Sequence, residues 1–213
     1  MSPTIRTWHA REPFSGYSHL VGFGLAAAGA IWLVLASSHH RAAALIYSAC
    51  LLALYAASSA YHLVNLGEAV TLRLRRLDHA AIFLMIAGTA TPILAQALSG
   101  TARTLMLTLL WGTAALGVVF RFVWMRAPRW AYTAAYVGMG WLAAARIRDI
   151  AREVPHAALA LILAGGLAYT LGAVVYAIKW PNPLPKRFGF HEVWHLFVLV
   201  ASVLHFAAVA IIA

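Results

Sequence analysis

Seven apolar runs succeed one another along the 213 residues, at roughly 19–36, 42–64, 78–98, 104–124, 131–146, 157–180 and 191–212. Each is near the about 20 residues that an α-helix needs to cross the hydrocarbon core of a bilayer. Within that core no water is at hand to satisfy backbone N–H and C=O groups, so a chain that crosses repeatedly must do so as helices or as a closed barrel. Runs of this length select helices. The expected fold is therefore all-α: a polytopic integral membrane protein whose residues 1–213 form one seven-helix transmembrane bundle with little mass outside it. Composition agrees, with 63% hydrophobic and only 10% charged residues, where soluble domains run near a half and a quarter.

A formal charge of +10 would suggest a nucleic-acid partner in a soluble protein, but here most basic residues fall in connectors. The N-terminal segment and the loops after the second, fourth and sixth runs carry Arg6, Arg11, Arg73, Arg75, Arg76, Arg121, Arg126, Arg129, Lys179, Lys186 and Arg187, whereas Arg41, Arg103, Arg146, Arg148 and Arg152 belong to the other side. The positive-inside rule then places the N-terminus in the cytoplasm and the C-terminus outside. Leu35-Ala36-Ser37-Ser38 resembles a signal-peptide cleavage site, yet the run before it is long for a signal core and the charge pattern requires it as a span. Gly22, Ala26 and Ala30 repeat at four-residue spacing, which lets helix backbones approach closely. Pro92 should free a carbonyl in the third span. The single cysteine, Cys50, lies inside the second run, so any metal must be held by histidine and carboxylate.

His191, Glu192 and His195 spell H-E-x-x-H, a pattern that on a helix offers two imidazoles to a metal. Topology gives the motif its neighbours. The seventh span starts at the cytoplasmic face with His191 and His195, the second ends there with Ser58 and His62, and the third begins there with Asp78 and His79. Ionisable groups at such a level face a bundle interior or a water-filled cavity. His62, His191 and His195 leave one coordination position open, the ligand set of a catalytic zinc. Asp78 could orient or deprotonate water, and Ser58 could hydrogen-bond the water, a ligand or a developing oxyanion. Of the other histidines, His205 lies about 15 Å further along its helix than His195 and reads as a buried polar contact. His39, His40 and His156 fall on the opposite side, His9 lies outside the spans, His79 is a candidate supporting group, and His19 stands at the right level without a partner visible in sequence.

The fragments SSAYH, LDHAAIFLMIAGTATP and HEVWHLFVLVASVLH, with REPFSGYSHLVG before the first span, resemble the bacterial hemolysin III proteins of the progestin and adipoQ receptor family. The resemblance covers nearly the whole chain. It implies a seven-helix protein of the bacterial plasma (inner) membrane in which, as in the related adiponectin receptors, three histidines hold zinc: here His62, His191 and His195, with Asp78 and Ser58 beside them. The wider superfamily includes alkaline ceramidases, which implies a water-activating zinc that cleaves a lipid amide. Ser18 stands before His19 where many members have threonine.

The resemblance turns H-E-x-x-H away from proteolysis and leaves Glu192 as polar support. Two functional classes follow: a zinc-dependent hydrolase of a membrane lipid, with Asp78 and Ser58 as catalytic groups, or a non-enzymatic, zinc-containing sensor of membrane lipid state. Lysis by pore formation, which the family's name suggests, fits poorly with uniformly apolar spans. A membrane lipid is the expected substrate or ligand, and no nucleic acid is expected.

Overall fold

A computed structural model describes residues 10–184 and 188–213. Arg6, His9, Lys186 and Arg187, considered above, lie outside the described residues. The described chain is helical, with one isolated β-bridge between Leu184 and Phe188. Its helices are α1 (Pro13–Ala36), α2 (Arg41–Leu63), α3 (Glu68–Ala97), α4 (Gly100–Val123), α5 (Arg129–Gly140), a 3-10 turn (Leu142–Arg146), α6 (Ile147–Glu153), α7 (His156–Ile178) and α8 (Phe190–Ile212). Six of them, α1 to α4, α7 and α8, are long and apolar enough to cross a membrane.

The expected fifth span, 131–146, is not one continuous helix. α5 stops at Gly140 and the chain tightens into the 3-10 turn before α6. Gly138 and Gly140 weaken this stretch, because glycine costs a helix interior about 1 kcal/mol relative to alanine. Trp141 then leaves the helix line, and its indole N–H donates to the Thr170 hydroxyl on α7 at 3.0 Å.

α3 also differs from the expected 78–98. It begins ten residues earlier, at Glu68, directly after Gly67, whose φ of 98° suits a glycine and turns the chain into the helix. The segment from Glu68 to Leu77 contains no breaker, so the helix continues through Arg73, Arg75 and Arg76 beyond the apolar run. Pro92 sits inside α3, and one residue before it Thr91 donates its hydroxyl to the Ala87 carbonyl at 2.7 Å.

α3 is the central helix and meets α2, α4, α5, α6 and α8, while α1 lies against α2 and α8. In lipid such contacts depend on close fit rather than on withdrawal from water. Gly117 of α4 seats the buried Phe83 ring of α3, and Gly88 of α3 seats Cys50 of α2. The small stripe Gly22, Ala26 and Ala30 is buried as its spacing predicts. The opposite faces of α1, α4 and α7 leave large apolar side chains exposed, among them Leu25, Leu116 and Leu167, as helices against lipid acyl chains require.

Candidate metal centre

The end of α2, the start of α8 and the start of α1 meet at one end of the bundle. His62 lies in the last turn of α2, and His191 and His195 occupy successive turns at the start of α8. One ring nitrogen from each lies within 4.8 Å of the other two. Nε2 of His191 and Nε2 of His195 are 3.3 Å apart. Metal–nitrogen bonds of 2.0–2.1 Å at tetrahedral angles would hold two such atoms roughly 3.4 Å apart. The donor set is all imidazole, since Cys50 lies twelve residues before His62 along α2 and is buried. These three histidines can hold a metal ion.

Two residues of the N-terminal segment complete the geometry. A single oxygen of Glu12, Oε2, lies 2.8 Å from Nδ1 of His62 and 3.0 Å from Nδ1 of His191. Burial acts to raise the Glu12 pKa, but hydrogen bonds from His191 and His62 outweigh it and hold the carboxyl below its ordinary range. Nε2 of His19 is hydrogen-bonded to Nδ1 of His195 at 3.0 Å, and Nδ1 of His19 to the Ser58 hydroxyl at 2.8 Å. Nothing adjacent in sequence marks His19 as a partner, because its partners come from α2 and α8. Glu12 was invisible for the same reason: its signal was only that an acidic residue, rare in this chain, opens the first span.

Ser58 and Asp78 line one cavity with His19, His191 and His195. Asp78 lies ten residues inside α3, so it does not serve as the first-turn charge that favours a helix dipole; Glu68 occupies that position. The cavity has a volume of about 340 Å³. It runs from Arg75 along α3 to Ile93, about 27 Å at the helical rise. Its middle is walled by apolar side chains such as Ile82, Met85, Ile86 and Val198, and the interrupted α5, 3-10 and α6 segment supplies another wall through Val137, Ala144 and Ile150. The break in the fifth helix thus shapes the cavity.

The remaining residues do not join the three-histidine group, although His79 and His205 line the same cavity. Glu192 accepts the Gly189 backbone N–H at 2.8 Å and caps the start of α8. His79 pairs with Tyr136 of α5, ring nitrogen to hydroxyl at 3.3 Å, while the Tyr136 hydroxyl donates to the His79 carbonyl at 3.1 Å. His205 donates from Nε2 to the Ile162 carbonyl at 3.2 Å and stacks on Tyr169. His40 contacts Gln96 at the far end.

A family model described as Haemolysin-III related matches residues 7–206. Hemolysin-3 of Bacillus cereus is 34% identical over 203 residues, covering 93% of this chain and 90% of that protein. The Hemolysin-3 homolog of Bacillus subtilis (strain 168) is 29% identical over 204 residues, 93% of this chain and 92% of that one. A more distant relative, the human Monocyte to macrophage differentiation factor, is 28% identical over 171 residues, 77% of this chain and 67% of its own length. With six membrane-length helices, a histidine group able to hold a metal and a family match over nearly its whole length, this integral membrane protein belongs to the haemolysin-III related family.

Proposed function

We propose that this protein is a zinc-dependent hydrolase that cleaves an amide bond of a membrane lipid. One observation carries the reading: two of the three clustered histidines, His191 and His195, line with Asp78 and Ser58 the polar end of a long apolar cavity. Among the described residues the group is three imidazoles with no fourth protein ligand, the donor set of a catalytic rather than a structural zinc. Bound there, zinc supplies a Lewis acid that polarises a carbonyl and makes water a nucleophile near neutral pH.

The residues of the chain do the rest. The apolar walls hold an acyl chain and place its carbonyl at the polar end, beside Asp78 and Ser58. Asp78 accepts the proton of the attacking water, and the Ser58 hydroxyl donates to the carbonyl oxygen as negative charge gathers on it. Asp78 then returns its proton to the leaving nitrogen, so that water and amide become a carboxylic acid and an amine. The arrangement works from the cytoplasmic face of a bacterial inner membrane if the arginines follow the positive-inside rule.

A second reading has support of its own. The histidine network ties α1, α2 and α8 together, which suits a metal-braced sensor of membrane lipid state without turnover.

Elemental mass spectrometry of detergent-purified protein, with ceramide hydrolysis measured on the same samples, separates the two. One zinc per chain is expected in the wild type and in Asp78→Asn, and none in His191→Ala combined with His195→Ala. Turnover should fall about 10²–10⁴-fold in Asp78→Asn. Zinc without turnover on a broad panel of lipid amides would favour the sensor, and wild type without metal would remove both readings. Dye release from liposomes by the same preparations would instead support lysis.

A further inference from the structure

Outside the three histidines, the contacts of α1 have no role yet. Glu12 immediately precedes α1 and His19 lies in its second turn, and both are turned toward the histidine group. Between them they reach all three histidines, and in each case at Nδ1: Glu12 at His62 and His191, and His19 at His195. We infer that Glu12 and His19 are the positioning residues of the metal centre, fixing each ligand with its proton on Nδ1 and its Nε2 lone pair toward the ion. The inference rests on the reading that the site holds a metal, and it concerns the chain's residues rather than the reaction.

The hydrogen-bond inventory makes the assignment. Oε2 of an ionised carboxylate only accepts, so both imidazoles that face it must carry a proton on Nδ1. Neutral His62 and His191 then have bare Nε2 atoms. The same holds for His195 when His19 accepts its Nδ1 proton. Two bare Nε2 atoms facing each other at 3.3 Å, as on His191 and His195, repel unless a cation lies between them. The orientation that α1 imposes is therefore the one a metal needs, and it follows the common pattern in which a ligating histidine donates its other ring proton to an acceptor.

A consequence reaches Ser58. If His19 accepts at Nε2, its own proton is on Nδ1 and is donated to the Ser58 oxygen, 2.8 Å away. The Ser58 hydroxyl proton is then available to an acceptor in the cavity, where the Asp78 carboxyl lies within its reach. With the opposite tautomers, Ser58 would donate to His19 and offer the cavity only lone pairs. A loaded centre thus sets Ser58 as a donor, two hydrogen bonds from the nearest ligand.

The test uses the full chain in detergent, with zinc affinity measured by competition against a chromophoric chelator and site geometry by cobalt absorption. Glu12→Gln and His19→Leu should each weaken zinc binding by about 10–100-fold and alter the cobalt bands. His19→Gln, whose amide oxygen can accept in place of Nε2, should recover most of the affinity. Nitrogen NMR of zinc-loaded wild type gives a readout that no variant can spoil by misfolding: His62, His191 and His195 should be protonated on Nδ1 and bound through Nε2, and His19 should be protonated on Nδ1. Wild-type affinity in folded Glu12→Gln and His19→Leu would overturn the inference, as would coordination through Nδ1. Wild type that binds no zinc would overturn it together with the metal centre, whereas zinc binding without lipid turnover would remove the hydrolase and leave these roles standing.

Discussion

Nε2 of His191 and Nε2 of His195 face each other at 3.3 Å from successive turns of α8, and His62 approaches the pair from the end of α2, with ring centroids 5.1 and 4.7 Å away. A metal bound by the three would connect two helices far apart in sequence. The thermal unfolding midpoint should therefore rise with free zinc and fall on chelation. Free zinc at 1,000 times the dissociation constant adds about 4 kcal/mol to a folded state that alone binds it. Differential scanning fluorimetry in detergent checks this, and the dependence should vanish in His191→Ala combined with His195→Ala.

Glu192 completes the H-E-x-x-H letters but turns away from the imidazoles to cap Gly189. Glu192→Ala should lower stability by about 0.5–2 kcal/mol, the ordinary value of an N-terminal cap, and leave zinc content unchanged. If zinc were lost while the chain stayed folded, Glu192 would belong to the site after all.

Which end of the bundle each polar group takes was legible because hydropathy sets the order and direction of the spans. His62, Asp78, His191 and His195 could be brought to one end of the bundle from sequence alone, and the structure places them at one end. Two kinds of feature were hidden. Hydropathy measures where a run stops being apolar, which is not where a helix stops, so the polar first turns of α3 and the 3-10 interruption after Gly140 were missed. Partners contributed by a separate helix leave no local pattern, so the contacts of Glu12 and His19 emerged only when α1 was seen against α2 and α8.

Gly117 on α4 faces the ring of Phe83, which is 2% exposed and cannot swing aside. A β-carbon at Gly117 would overlap that ring. Gly117→Val should cost about 1–3 kcal/mol, the range for overpacking a filled interior, read as a lower unfolding midpoint with zinc stoichiometry preserved. Phe83→Leu in the same chain should restore part of the loss by making room, which would distinguish overlap at this contact from a general intolerance of valine in α4.

Gly165 and Gly166 are neighbours on α7 and should respond in opposite ways. A β-carbon on Gly165 would come within 2.8 Å of Nε2 of His205, the atom that bonds the Ile162 carbonyl, whereas one on Gly166 meets nothing within 4 Å. Gly166 lines the cavity. Gly165→Ala should therefore lower the unfolding midpoint, since the buried His205 ring must move and strain its hydrogen bond. Gly166→Ala should be neutral or raise it, because an alanine in a helix interior is favoured over glycine by about 0.5–1 kcal/mol. Gly166→Leu goes further by placing a side chain where an acyl chain would lie: zinc content should stay at the wild-type level while binding of long-chain lipid amides falls and binding of short-chain ones persists. Equal loss of short and long chains, measured by competition with a fluorescent acyl probe, would mean that the ligand does not extend from the polar end toward Ile93.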